Sequence, residues 1–598
     1  RISTEPIKTA PPTGRIEHFD AVEETEQGIP WMERAIEQHD DNAAAILGVY
    51  LVETPKEDCH EEERRHRGFL LLQSSALEGN LEDHLRIQAF FELGHCYYYG
   101  IGTETNIEEA YTWYARAAES GSEGAQYLAA SLILDKRCSE TDTAKAIAWL
   151  RQAAEQGCMY STMRLGECYL EGNVVPKDAE EAFQWFQKSA ELGNPAAVNM
   201  VGRCYMDGNG VEQDQEKAFQ YFQKASEAGD ESAMFNLADC YFNGLGTEQS
   251  EEQAVPWYQK AAEANISIAQ YMLGTCYHFG KGVSPNEELA LHWLRKAAEQ
   301  DYVGAQYALG TLLFRNEDSG ENDAEAVRWL ERAAELGDIG SQVKLGVCYQ
   351  DGYNVLEQGK VCFKEDMEKA VELFQNAAEQ GDAEGQFQLA NSYRFGLGVK
   401  KNVPKMLYWL RLSAMQGYAE AQYALGICYQ DGIGVKADME KAMDWYERSA
   451  AQNYPDAICS VGMYYLDEED DVETAKRLVY KAAQMDCPEA QYLMGMFLYE
   501  GDDSEEDEEA VAWFRMAARY QNHGGAMGML GYCYMNGTGV EQDDEMARVW
   551  LKRAAECRDY DAIELLKNYY MIDDYDDFEY EDYGDEPEYD DEDDDWED

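Results

Sequence analysis

The sequence predicts an all-α fold, a solenoid of about fourteen stacked helix-turn-helix units. Three observations carry this. Trp113, Trp149, Trp185, Tyr221, Trp257, Trp293 and Trp329 stand 36 residues apart without slippage. An apolar marker runs twenty residues ahead of most of them (Leu93, Leu165, Val201, Leu237, Leu273, Leu309) and is usually followed by a small residue, as at Gly94, Gly166 and Gly274. Between the two markers lies a glycine-spaced turn, as in "GIGVKADMEKAMDWYERSAAQN" at 432–453 and "GNGVEQDQEKAFQYFQKASEAG" at 208–229. The aromatic register then jumps by 44 to Leu373, returns to 36 for Trp409 and Trp445, and continues irregularly through Leu478 to Trp513 and Trp550.

The copy from Ile268 to Gln300 shows why each element forms. Ala269, Leu273, Cys276 and Tyr277 share one face of a first helix, and Ala290, Trp293, Leu294, Ala297 and Ala298 share one face of a second. Gly280 and Gly282 stop the first helix, and Pro285 is expected just inside the start of the second. Small residues such as Gly274 let neighbouring axes approach to about 8–10 Å. The aromatic column, Trp113 to Trp550, is then the expected structural core, and removing Trp293 is expected to cost about 3–5 kcal/mol. A lone helix pair leaves its second face bare, so each copy must be covered by the next.

Residues 1–28 lack an apolar signal core and are expected to form a loosely structured leader; the start at Arg1 is compatible with loss of an upstream segment. Residues 29–92 carry divergent repeat traces, "AILGVYL" and "GFLLLQSSALEGN". The regular array is expected over 93–571, closing on "AIELLKNYY", where Lys567 replaces the glycine and a polar-faced cap helix results. An insertion, "YNVLEQGKVCFKE", accounts for the 44-residue step, and three turns ("NEDSGENDAE", "DEEDDVE", "GDDSEEDEE") are acidic instead of glycine-rich. The tail, 572–598, is expected to be an acidic disordered segment. From Met571 onward eighteen carboxylates accompany Tyr575, Phe578, Tyr580, Tyr583, Tyr589 and Trp596, with no lysine or arginine.

Charge narrows the function. With 117 acidic against 49 basic residues the formal net charge is −68, of which −50 remains without the tail. Such a polyanion repels nucleic acid and anionic membranes and favours partners with basic segments. No apolar run reaches the eighteen residues of a membrane span, so no insertion is expected. Eight of the fifteen cysteines (Cys96, Cys168, Cys204, Cys240, Cys276, Cys348, Cys428, Cys533) share one local context, typically Gly-x-Cys-Tyr, and no CxxC occurs. One thiol per unit reads as a small core filler in a reducing, cytoplasmic setting. No catalytic or phosphate-cradling motif appears; "HEEERRH" at 60–66 lacks the spacing of a metal-binding helix, and the turns lack the ligands of a calcium loop. No enzyme, cofactor or metal is expected.

The pattern L-G-x-x-Y-x-x-G-x-G-V followed by K-A-x-x-W-Y-x-x-A-A-x-x-G, seen best from Leu425 and from Val201, resembles the Sel-1-like repeat family, relatives of the tetratricopeptide repeats. The resemblance is strong from Leu93 to Cys557 and implies a right-handed α/α superhelix that serves as an adaptor or scaffold for proteins. Some secreted members bridge two cysteines per unit; this chain mostly carries one per unit and does not match that subclass.

In such an array recognition must use the variable positions of the first helices, two and five residues after the marker: His95 and Tyr98, Glu167 and Leu170, Arg203 and Met206, Asp239 and Phe242, Thr275 and His278, Thr311 and Phe314, then Gln350, Arg394 and Gln430 in the later units. From Tyr98 to Phe314 the second position is aromatic, apolar or histidine, which suggests a stripe able to hold a peptide. The competing reading is packing between successive first helices. The leading function is a protein scaffold binding basic partners along this groove; the alternative is a decoy that masks a basic site through its acidic aromatic tail. The sequence does not fix the partner or the oligomeric state.

Overall fold

The computed structural model describes residues 22–53, 61–78, 80–314, 320–351, 356–357, 360–361, 366–467, 471–499, 504–519 and 523–570. These hold thirty helices and one short antiparallel pair, Leu356 opposite Val361 and Glu357 opposite Lys360, within the insertion. The fold is all-α as predicted. It divides into two compact units, Arg1–Tyr302 and Val303–Asp598. Seven helix pairs make up the first, from Asp41–Glu53 with Glu61–Glu78 through Ser267–Phe279 with Glu287–Glu299. Seven more make up the second, from Val303–Leu313 with Gly320–Glu335 through Gly524–Asn536 with Asp544–Glu556, and Tyr560–Tyr570 follows as a single helix.

Local chemistry sets each boundary. The first helix ends on a left-handed glycine: Gly280 has φ +70° and donates its N–H to the Cys276 carbonyl. The second glycine of the turn does something the sequence did not suggest. A Cβ on Gly246 or Gly282 would fall on the carbonyl of Gln215 or Glu251, at the start of the preceding second helix, so this residue joins one pair to the one before it. Wherever the cap is described, the second helix begins on Asp, Asn or Ser. Asn286 accepts the Leu289 N–H at 3.0 Å, while its own N–H donates to the Tyr277 carbonyl at 2.8 Å and closes the turn. Pro285 therefore lies before the cap, not inside the helix as expected, because Asn286 can satisfy an orphan N–H and proline cannot.

The core lies between the two helices of each pair and between successive pairs. It takes in the marker residues of the first helices, such as Leu93, Leu165 and Leu273, and the residue after each periodic tryptophan. Leu150, Phe186, Leu330 and Phe514 have no exposed surface, and Tyr114, Tyr258, Phe222, Leu294, Tyr446 and Leu551 have 3% or less. Of the expected core column only Trp113 and Trp149 are buried; Trp185, Tyr221, Trp257, Trp293, Trp329, Trp409, Trp445, Trp513 and Trp550 are half-buried. The reason is helical phase. Glycine on the first helix faces the residue after the tryptophan, as Gly274 does Leu294, where a Cβ would lie 2.8 Å from Cγ, and the indole is turned to the edge of the seam.

A polar device repeats as regularly as the apolar one. Gln422, buried on its first helix, donates to the Ala414 carbonyl of the previous second helix at 3.1 Å and accepts from Gln452, at the end of its own second helix, at 2.8 Å. Gln126 with Gln156, Gln270 with Gln300 and Gln386 with Gln416 do the same. Each glutamine ties three helices together and gives a second hydrogen bond to a carbonyl that already accepts a backbone N–H of the turn.

The helix Val22–Glu37 begins within the stretch expected to be a leader, with Ile29, Met32 and Ile36 half-buried on one face. In the terminal helix Ala562, Ile563 and Leu566 are buried while Tyr569 is 71% exposed, a one-sided helix at the end of an array.

Candidate partner-binding surface

The residues expected to line a groove are mostly half-buried, and their contacts are largely within the array. In the first unit His95 stacks edge-on against Phe91 and Tyr114, with ring centroids 4.4 and 5.5 Å apart. Burial lowers its pKa, which favours neutral imidazole, and the hydrogen bond to the Phe91 carbonyl opposes this only in part. Tyr98 lies against Tyr114, and the Arg137 guanidinium of the next pair sits 5.0 Å over its ring. Phe242 repeats this arrangement, against Tyr258 at 6.0 Å with Lys281 over its ring at 5.3 Å. Leu170 and Met206 join the core edge, His278 stacks on Phe279 at 4.5 Å, and Arg203 is exposed beside Met200. In the second unit Phe314 packs against the core, Gln350 is half-buried, Arg394 lies 5.2 Å over Phe395, and Gln430 accepts the Tyr446 hydroxyl at 2.9 Å. His95, Tyr98, Phe242 and Gln430 thus lie against Tyr114, Tyr258 and Tyr446 of the second helices, contacts of the packing kind weighed beside recognition. The tail aromatics, Tyr575 to Trp596, lie outside the described residues.

A different row is both regular and open. It starts two residues before the marker, in "AQY" or "GQF" of the first helix, and pairs with an aromatic ring just before or in the first turn of the next first helix. In the first unit Tyr127 meets Tyr160 at 5.9 Å and Tyr271 meets Tyr302 at 5.2 Å. In the second Phe387 meets Tyr418 at 5.5 Å, Tyr423 meets Tyr454 at 5.4 Å, and Tyr492 meets His523 at 5.0 Å. All of these rings are half-buried.

In the second unit carboxylates interleave with the rings. Tyr307 is beside Glu384, Asp338 and Asp382; Tyr418 hydrogen-bonds Glu420 near Glu384; Tyr454 hydrogen-bonds Asp456 near Glu420. Burial and these negative neighbours raise the three phenols, and Tyr423, close to Asp456, is pushed up to about 12. Burial also raises Glu384, and Asp382 and Glu420 raise it further, with Lys344 alone opposing them among the charged neighbours. Carboxylates that repel one another thus alternate with aromatic rings along this face of the second unit.

Several of the chain's own cations sit over the periodic tryptophans. On the second helices Lys260 lies 3.9 Å over Trp257, Lys296 4.7 Å over Trp293, Arg448 4.6 Å over Trp445 and Arg553 5.1 Å over Trp550. An indole at the edge of the seam is thus a seat for a cation three residues on. Sequence reading found the 36-residue column but not the aromatic row, although "AQY" recurs in plain view ahead of the marker.

Among the described residues no three or more His, Cys, Asp or Glu side chains gather where a metal ion could be held, and no helix is long and apolar enough to cross a membrane. The thiols of the repeated motif are buried, and burial pushes Cys96, Cys240 and Cys533 up to about 12 and Cys168, Cys204, Cys276 and Cys428 up to about 11. They are protonated fillers and not nucleophiles.

The sequence profile of the Sel1 repeat matches twelve segments: 88–122, 125–158, 160–194, 195–230, 231–266, 267–302, 303–338, 339–382, 383–418, 419–454, 488–519 and 525–559. Among solved structures, a protective antigen of uropathogenic Escherichia coli strains displaying an SLR fold is 32% identical, with a TM-score of 0.54 over 70% of this chain and 91% of that one. A Sel1 repeat protein from Oxalobacter formigenes is also 32% identical, with a TM-score of 0.38 over 42% of this chain and 96% of that one. No curated protein matches the chain. With twelve matched repeats spread over most of its length, the chain belongs to the Sel1 repeat family.

Proposed function

We propose that the chain is a scaffold that binds a basic segment of a partner protein along the tyrosine–carboxylate row of its second unit. Sel1 repeat proteins generally mediate protein–protein interaction, which supports the class of function. The observation that carries the finer reading is the alternation of Tyr307, Tyr418, Tyr423 and Tyr454 with Asp382, Glu384, Glu420 and Asp456 in and just before first helices, while lysines and arginines sit over tryptophans of second helices. Arginine or lysine fits such a row twice over, through charge and through the ring face. Tyr98, Phe242 and Phe314 then contribute mainly by keeping the helices in register. The chain acts by presenting surface, and the reading involves no catalysis, cofactor or nucleic acid.

The test is capture of native partners by the full chain, by the triple variant E384Q/E420Q/D456N, and by a chain ending at Tyr570. Loss with the triple variant and retention with the shortened chain is the expected result. Retention with the triple variant and loss on shortening would move recognition to the acidic tail.

A further inference from the structure

We infer that Cys459 and Cys487 form a reversible disulfide that staples two consecutive helix pairs of the second unit. Cys459 lies on the helix Pro455–Asp467. Cys487 stands immediately before the helix Pro488–Tyr499, where its carbonyl accepts the Gln491 N–H at 3.0 Å. Both thiols are buried, 3% and 2% exposed, in one apolar cluster with Ile458, Val479, Ala482 and Ala490. The Cys487 Sγ donates to Asp456 Oδ1 at 3.2 Å, three residues before Cys459 on the same helix, and Cys487 raises the pKa of the Cys459 thiol. The two side chains are therefore neighbours in one buried cluster.

Their position sets them apart from the eight thiols of the repeated motif. Neither occupies the Gly-x-Cys-Tyr slot that holds a single filler thiol, and both fall in 455–487, the stretch between two matched repeats that the family profile passes over. A bond between them would join the start of one first helix to the start of the next and enclose the second helix Val472–Ala483 in the loop.

The chemistry balances with a peroxide as oxidant. Cys487, whose thiol points at the Asp456 carboxylate, transfers its proton and attacks one peroxide oxygen; the O–O bond breaks, one water leaves and a sulfenic acid remains. Cys459 then attacks that sulfur, its proton leaves with the hydroxide as a second water, and the S–S bond forms. Two thiols are oxidised and one peroxide is reduced. Burial and the neighbouring sulfur hold the Cys459 thiol protonated, so closure proceeds through local opening of this pair and a thiol reductant reverses it.

The full chain, treated with hydrogen peroxide in buffer and in mild urea, alkylated and mapped by peptide mass spectrometry, tests this. The expected product is a Cys459–Cys487 linked peptide lighter by two hydrogens, lost on addition of dithiothreitol. Amide exchange across Pro455–Tyr499 is expected to slow about tenfold on oxidation. In C459A and in C487A the linkage and the slowing both vanish, and in C138A, with a half-buried thiol far along the sequence, both persist. Recovery of both residues as free thiols under these conditions, or linkage of either to another cysteine, would overturn the proposal. If one alanine variant fails to fold, the other variant and the wild-type map still decide it.

Discussion

Gly426 and Tyr446 face each other across one helix pair so closely that a Cβ on the glycine would lie 2.5 Å from the tyrosine Cε1. Gly166 with Phe186 and Gly495 with Phe514 repeat the relationship at the same distance, one small and one large residue meeting in each seam. The glycine after the leucine is thus required for its lack of volume, not for its backbone freedom. Gly426→Ala is expected to force Tyr446 off its position at a cost of about 1–3 kcal/mol, read as increased amide exchange in 419–454. No change would show that this seam is loose.

The glutamine ladder gives a second prediction. Gln422→Ala removes one of two partners from the Ala414 carbonyl, which keeps the Gly417 N–H, and from the Gln452 amide, which keeps the Gly417 carbonyl, and is expected to cost about 0.5–1.5 kcal/mol. Gln452→Ala alone is expected to cost less, because the amide removed lies at an exposed helix end. The double variant is expected to be less destabilised than the sum of the two, and a double-mutant cycle by urea unfolding measures the coupling.

The displaced aromatic column predicts an inversion of the usual ranking by size. Leu294 is 2% exposed, whereas Trp293 is half-buried with Lys296 over its ring. Leu294→Ala is expected to cost about 2–5 kcal/mol and Trp293→Ala less, despite the larger side chain removed. Thermal unfolding of the two variants under one condition decides the order.

Alkaline pH is expected to destabilise the fold through its thiols. Burial raises Cys96, Cys240 and Cys533 in the folded chain to about 12, while an unfolded thiol titrates near about 8.5. A raised acid contributes stability that is whole below the unfolded value and is lost as pH rises from there through the folded one. The melting temperature is expected to fall progressively above pH ~8.5, and less steeply in C240A/C533A. A flat profile up to pH ~10 would mean that these thiols ionise as readily in the folded chain as in the unfolded one.

The architecture was legible because a solenoid writes its core into a period. Glycines, tryptophans and the leucine marker return at 36 residues, and the fourteen pairs follow from counting them. Depth was less legible. Trp293 and Leu294 are adjacent in sequence, and only the helical phase fixed by Gly274 decides which enters the seam. The surface was least legible. Tyr98 and Phe242 look like a binding stripe in one dimension, yet Tyr114 and Tyr258, sixteen residues on, are what they cover. The row through Tyr418 and Tyr454 involves rings some thirty residues apart, such as Phe387 and Tyr418, which come together only when consecutive pairs stack.

A photo-crosslinking amino acid placed either at Tyr418, on the approach to a first helix, or at Tyr408, 58% exposed on a second helix, tests the central claim most directly. Irradiation of each full chain in the presence of native partners, followed by peptide mass spectrometry, is expected to yield adducts to lysine- or arginine-rich partner peptides from position 418 and none from position 408. Adducts from position 408 alone, or from 418 to peptides without basic residues, would contradict the account.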